Sequence, residues 1–370
     1  MKIKILQYVG GMNRAGAETL VMNIFRNFKK EKYEFHFIKH TKEKCDYDDE
    51  IIKLGGKIIY LERPSINNIK KYKYDFQKIV DKYGPYDVIH THLQLMNGLI
   101  LKTAYECGIK NRVSHAHLNG DYSKNSLIRK TYVKYSRYLI KKYATKNLAC
   151  SNDSGKYLYN GRDFILLNNA IDLEKFNDNK YDKNCLKYTF RLKDNIKVIT
   201  HIGRFVEAKN HKFIIDVFSK LIKEDNNYRL FLCGDGKLKE EIENKVKKLN
   251  LEKYVYFLGV RDDINKILLG SDLYFMPSIL EGLPVSLVEA QAAGCECLIS
   301  NNIPKGGDLG IGIVDFLELN DDLDIWIRMI KKKVDNKRLN FNIRRNKIIE
   351  SGFDLNKNIE ILEEIYSNLL

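Results

Sequence analysis

Tryptophan occurs once and proline five times in 370 residues, and no run of about 18 apolar residues is present. The few prolines, with 44% apolar residues, argue for a packed globular protein, and the lack of such a run argues against a membrane span. The opening, MKIKILQYVGGMNRAG, carries too short an apolar stretch for a secretion signal and reads as a first strand. Its glycines do not form GxGxxG, so a dinucleotide fingerprint is missing. Seven cysteines, at 45, 107, 150, 185, 233, 295 and 297, are odd in number and scattered, which predicts free thiols in a reducing cytoplasm rather than disulfides. Cys295 and Cys297 alternate along a strand with no second pair or nearby histidine, so they read as core. The acidic triplet Asp46-Tyr47-Asp48 leads into a helix whose dipole it suits. Neither place is read as a metal site, and no resident cofactor is expected.

Apolar residues make up 44% of the chain, and the length is comfortable for two domains. Net charge is +15, unevenly spread. The first 170 residues hold 31 Lys+Arg against 16 Asp+Glu, and the remainder 32 against 32. Such asymmetry predicts a partner of negative potential for the first half, a membrane surface or a nucleic acid. The tract from Ser126 to Tyr143 sharpens that expectation. Ile128, Tyr132, Tyr135 and Leu139 share a helical face, and Lys130, Lys134, Arg137 and Lys141 repeat the spacing two residues on. A basic amphipathic helix of this kind suits anionic lipid, or packs on its own domain with a solvated face.

Strand and helix alternate throughout, which predicts parallel sheets. The first strand, ending near Val9, meets the glycine loop Gly10 to Gly16, then a helix burying Leu20, Ile24 and Phe28. DVIHTH (87–92) and NRVSHAH (111–117) are two further strands whose histidines fall at the ends where open α/β sheets place ligands. His115 and His117 would share a face, and imidazole there could orient an acceptor or bond a sugar.

The stretch MPSILEGLPVSLVEAQAAGCECLIS (276–300) is the most specific. A strand ends, Glu281-Gly282-Leu283 turns, Pro284 fits a first helical position, Val285 to Ala293 is helical, and Gly294 stops it. The helix start turns unpaired N–H groups toward an anion such as phosphate. Glu281 and Glu289, seven residues apart by the intervening count, suit hydroxyl donors such as those of sugars and riboses.

Here the chain resembles the retaining glycosyltransferases of family four. Glu281 and Glu289 match the E-x7-E signature, and Gly282, Leu283 and Pro284 its Gly-hydrophobe-Pro turn. GRFVEAKNH (203–211) is similar to the family's Gly-Arg…Lys motif, with Arg204 and Lys209 as the diphosphate-binding pair. The resemblance implies an α/β chain of GT-B architecture, two Rossmann-like doubly wound domains facing across a cleft. The acceptor-binding domain would span 1–176 and the nucleotide-sugar domain 177–354, with 355–370 a helix returning to the first; Asn177 to Asn184 would be the linker. It implies Gly11 for close backbone approach, His117 on the acceptor side, and Gly234 and the backbone of Arg261 near the nucleotide. The Leu283, Pro284 and Val285 amide region would meet the diphosphate, with Glu289 on ribose and Glu281 on the sugar. The implied activity is metal-independent transfer of a hexosyl or N-acetylhexosaminyl group from a nucleotide diphosphate sugar, UDP before GDP. The basic first half extends this to a lipid-linked saccharide acceptor, as in capsule or other surface polysaccharide synthesis, on a cytoplasmic protein peripheral to the membrane. A nucleotide-sugar 2-epimerase of the same architecture and a nucleic-acid-binding protein are the alternatives; no nucleic-acid-binding module is recognised, so no nucleic acid partner is expected.

Overall fold

The computed structural model describes residues 2–65, 67–121 and 126–369. The chain divides into two compact units, Met1–Ala170 with Leu355–Leu370, and Ile171–Asp354. Unit 1 is built on seven strands, β1 (Ile3–Gly10), β2 (Tyr33–Lys39), β3 (Lys57–Tyr60), β4 (Val88–Thr91), β5 (Asn111–Ala116), β6 (Lys146–Ala149) and β7 (Ile165–Leu166). They are all parallel, in the order β3-β2-β1-β4-β5-β6-β7. Alternate residues of β1 feed two cores, as a strand covered on both faces must. Ile5 and Val9 pack with Leu20 and Ile24 of the first helix (Gly16–Asn27), with its C-cap Phe28, and with Leu362 and Tyr366 of the helix Leu355–Leu369. Leu6 and Tyr8 pack with Phe76, Ile100 and Leu101 on the other side.

Unit 2 repeats the plan with β8 (Lys197–Ile202), β9 (Tyr228–Cys233), β10 (Val255–Gly259), β11 (Leu273–Met276), β12 (Glu296–Ser300) and β13 (Val314–Leu317), again parallel, in the order β10-β9-β8-β11-β12-β13. The lone Trp326 is fully buried, edge-on to Phe213 and Phe275, and its indole N–H donates to the Glu318 carbonyl at 3.2 Å. Cys295 and Cys297 are both buried, and Glu296 between them is held by the buried Lys333 at 2.7 Å, with Asp315 at 2.5 Å on the same ammonium.

In each sheet the strand order reverses once, between β1 and β4 and between β8 and β11. At such a point neighbouring loops leave in opposite directions and open a crevice beyond the carboxyl ends of the strands. The loops after β1, β4, β8 and β11 carry most of the residues singled out in the sequence.

Two local expectations differ from what is observed. Asn177 to Asn184 is no free linker. Leu173 and Phe176 are core residues of unit 2, Asp178 accepts from Arg344 at 2.7 Å, and the unit begins at Ile171 rather than after 176. Apolar anchors on either side of the polar residues pull the segment down, which a composition reading overlooks. Pro284 is the N-cap (φ −78°, ψ 111°) rather than the first helical residue. Lys209 closes a short 3-10 turn, Glu207–Lys209, and the helix starts at His211 after Asn210 in the left-handed region. Among the described residues no helix is long and apolar enough to cross a membrane.

Candidate functional site

In unit 2 the site is assembled by loops holding one another through backbone groups. Phe205 is buried; its N–H donates to the Asp235 carbonyl at 3.0 Å and its carbonyl accepts from Leu238 N–H at 3.0 Å. Gly234 (φ +139°) sits so close beneath that an added Cβ would lie 2.1 Å from the Gly203 carbonyl oxygen. No side chain fits there, which gives Gly234 a packing reason to be glycine. Asn210 then donates from Nδ2 to the Pro277 carbonyl at 3.0 Å, while Ile279 N–H donates to the Ala208 carbonyl at 2.8 Å. These bonds tie the loop after β8 to the loop after β11 and carry Lys209 to Glu281. The stem of Lys209 lies over Gly203, where a Cβ would meet its Cδ at 3.0 Å. Its ammonium is ion-paired with the Glu281 carboxylate, and the two side chains are only 18% and 11% exposed.

The helix Val285–Ala293 starts with no side-chain cap. Its first N–H groups and positive dipole end therefore face the same loop that holds Glu281. The other end is closed firmly: Gly294 is left-handed (φ 68°), and the buried Arg344 donates to the Ala292 carbonyl. Gln291 locks the middle, donating to the Gly307 carbonyl at 2.7 Å and accepting from Leu309 N–H at 3.0 Å. The Tyr274 hydroxyl donates to Ser286 Oγ at 2.8 Å. Burial raises the Tyr274 phenol, and the charges of Glu281 and Glu289 raise it further. Burial also pushes the Glu289 carboxyl up to about 7, with Lys175 opposing. A carboxyl held that high lacks hydrogen-bond donors, and sugar or ribose hydroxyls would supply them.

Arg204 is exposed and takes part in no ion pair among the described residues. The Arg261 guanidinium forms a fork to Asp263 through Nε and Nη2, 2.8 Å on each arm. Leu283 and Val285 rest partly buried against the unit 2 core.

In unit 1 the positive φ of the first loop falls on Gly10 (+79°), not Gly11, around which a Cβ would meet nothing within 4 Å. The histidines are drawn closer than their spacing alone implied. His90, His92, His115 and His117 project from the adjacent β4 and β5 ends to one side, with ring centroids 4.3 to 5.4 Å apart. His92 Nε2 donates to Gln7 Oε1 at 2.8 Å, which leaves Nδ1 to accept from His117 Nε2 at 2.9 Å. His117 is then left with its Nδ1 lone pair. His90 Nδ1 is bonded to the Tyr366 hydroxyl at 2.7 Å. Burial lowers all four, His117 to about 4, so the cluster is neutral. Nitrogens of His90, His92 and His115 lie within 4.8 Å of one another. Both nitrogens of His92 are already engaged, whereas His90 Nε2 and both nitrogens of His115 are buried without a hydrogen-bond partner. Gln7 and Tyr366 were not foreseen. The HxH repeats on neighbouring strands are a signal for the cluster, whereas Tyr366 arrives from the far end of the chain.

The family model for "Glycosyl transferases group 1" matches residues 186–307. The putative glycosyltransferase EpsF of Bacillus subtilis is 32% identical over 98% of this chain and 96% of its own length. The capsular polysaccharide biosynthesis glycosyltransferase CapH of Staphylococcus aureus is 28% identical over 98% of both. An Escherichia coli enzyme named UDP-Gal:alpha-D-GlcNAc-diphosphoundecaprenol alpha-1,3-galactosyltransferase is 27% identical, covering 96% of this chain and 94% of the enzyme. Among solved structures, Anabaena HepE in complex with UDP aligns at a TM-score of 0.77 and 17% identity, covering 99% of this chain and 100% of that one. Two Rossmann-like parallel sheets with their loops gathered at the switch points, matched end to end by such relatives, make this chain a member of the group 1 glycosyltransferases, with the GT-B fold.

Proposed function

We propose that this glycosyltransferase moves a hexosyl or N-acetylhexosaminyl group from a UDP-sugar to a hydroxyl of a lipid-linked saccharide, with retention and without a metal. The observation that carries the reading is the Lys209–Glu281 pair beside the uncapped start of the helix Val285–Ala293. A nucleotide sugar presents a diphosphate joined to a carbohydrate, and this pair offers a cation for the one and a carboxylate for the other. On binding, Lys209 turns to the diphosphate together with Arg204 and the Leu283, Pro284 and Val285 segment, and Glu281 receives a sugar hydroxyl. Glu289 takes the ribose hydroxyls, and the Gly234 and Arg261 loops border the base. In the reaction the bond from the anomeric carbon to the diphosphate breaks, and the acceptor oxygen bonds to that carbon on the face just vacated. The acceptor proton passes to the departing phosphate oxygen. The cations and the helix start offset the charge that grows there, which is the work a metal would otherwise do.

Unit 1 presents the acceptor in this reading, with His117 orienting it through the neutral ring that His92 and Gln7 hold, and Gly11 approaching the donor. The lipid-linked acceptor draws on the diphosphoundecaprenol substrate in the name of the Escherichia coli relative and on the basic charge of unit 1. Transfer from radiolabelled UDP-sugars to lipid-linked and to soluble acceptors, with and without a chelator, tests it. Faster transfer to soluble saccharides, or loss of activity in the chelator, would count against the acceptor and the metal-free chemistry respectively.

A further inference from the structure

The basic helix foreseen in the sequence forms as Leu127–Tyr143, with Ser126 Oγ accepting from Arg129 N–H at 3.1 Å as its cap. Its apolar stripe is not buried as a whole. Leu139 is in the core, but Ile128 is 84% exposed, Leu127 82%, and Tyr135 and Tyr138 about half exposed. Beside this helix and the helix Asn152–Tyr159 lies a cavity of about 750 Å³. Six cations line it, Arg129, Lys130, Lys134, Arg137, Lys141 and Arg162, against a single carboxylate, Asp121.

Asp121 is fully engaged by Arg129, at 2.6 and 2.9 Å. Five positive side chains therefore share one hollow with no carboxylate among its lining residues left to answer them. Two of its polar atoms are buried without a partner, Arg137 Nε and the Tyr157 hydroxyl, and the Arg137 guanidinium lies over the Tyr157 ring at 4.9 Å. Arg162 is drawn in as well, donating to the Arg137 carbonyl at 3.4 Å, and burial lowers it. Arg162 is partly desolvated and two buried polar atoms are unanswered, which is costly, and a multiply charged anion with several acceptor oxygens relieves both. At the start of the same helix, Leu127 and Ile128 expose apolar side chains to the surroundings, which suits the hydrocarbon boundary of a bilayer.

We propose that this cavity holds the diphosphate of the lipid-linked acceptor while Leu127 and Ile128 enter the membrane beside it. The inference rests on the lipid-linked reading above and adds the place where the acceptor's head group is gripped. Arginine forks and lysine point charges then hold a diphosphate whose lipid continues into the bilayer and whose saccharide remains free to react.

The full-length, untagged protein is tested by flotation with three phosphatidylcholine vesicles: neutral, containing phosphatidylglycerol, and containing a polyprenyl diphosphate at the same total charge. Tighter binding to the diphosphate vesicles than to the phosphatidylglycerol vesicles, by about tenfold, is expected. K134E combined with R137Q removes that preference and raises KM for a lipid-linked acceptor about tenfold or more. L127Q combined with I128Q, both exposed and so compatible with folding, weakens binding to every vesicle but leaves calorimetric binding of inorganic pyrophosphate intact. Equal binding to the two anionic vesicles overturns the proposal, as does an unchanged KM in the K134E/R137Q variant with its melting curve unaltered. Diphosphate preference without transfer to lipid-linked acceptors would leave this site standing and sink the acceptor reading. Transfer to lipid-linked acceptors that ignores K134E/R137Q would do the reverse.

Discussion

The two units share a plan, a parallel sheet whose order reverses once, yet they put opposite chemistry at the reversal. Unit 2 places a nearly buried ion pair there, Lys209 with Glu281, next to a raised carboxyl and an uncapped helix. Unit 1 places four stacked neutral histidines there and keeps its charge elsewhere. With the C-terminal helix included, unit 1 carries a net +13 and unit 2 only +2. A Rossmann-like sheet therefore specifies where a site lies but not its chemistry, which comes from a few loop residues.

The largest effect should come from breaking the charged side of this contrast. Lys209→Ala removes the cation facing the donor diphosphate, and kcat/KM should fall by about 100-fold or more. The thermal shift on adding UDP should vanish with it; a shift that survives in the variant would mean that the diphosphate lies elsewhere.

Next is the buried charge that props unit 2 from behind. Lys333→Ala strands Glu296 and Asp315 against each other, and about 3 kcal/mol of stability should be lost in urea unfolding. Replacing all three by apolar residues should recover most of it, and no recovery would mean the lysine stem matters more than its charge.

Acid sharpens the neutral side. The histidine pKa values of the folded protein lie below the ordinary value of about 6.5, so between the two the unfolded chain binds more protons. Stability is complete above about pH 6.5 and should decline as pH falls toward 4, the value to which His117 and His211 are lowered. His115→Leu, which removes two buried unbonded nitrogens, should flatten that decline without loss at pH 7. An acid-unfolding curve identical to that of the parent would remove His115 from the account.

The smallest effect expected is at Glu289. Its carboxyl is raised, so it costs stability as pH rises from about 4.5 through about 7. Glu289→Gln should therefore stabilise the free protein by about 1 kcal/mol at pH 8 while weakening UDP binding. If affinity for UDP stayed constant, the ribose assignment would fall.

Much of this was readable beforehand because it is local. The helix Val285–Ala293 and its glycine stop occur as the local sequence indicated. The partly buried strand β13 was missed, since Val314–Leu317 is short and has no deeply buried residue. The segment after Asn177 was misread as linker because its polar surface hides the apolar anchors around it. The motif reading named Lys209 and Glu281 separately. It gave no sign that they pair directly or that Gly10 rather than Gly11 has the left-handed turn.

By itself the order of residues determined the alternation of strand and helix, the doubled plan and the residue types available to bind a nucleotide sugar, since each depends on neighbours a few positions apart. Only tertiary structure decided that Asn210 and Ala208 reach the loop after β11, that Tyr366 closes over His90, and that six cations surround one hollow beside the helix Leu127–Tyr143. Those outcomes depend on which strands become neighbours and on how burial removes water from the groups between them, and neither is encoded in any single stretch of chain.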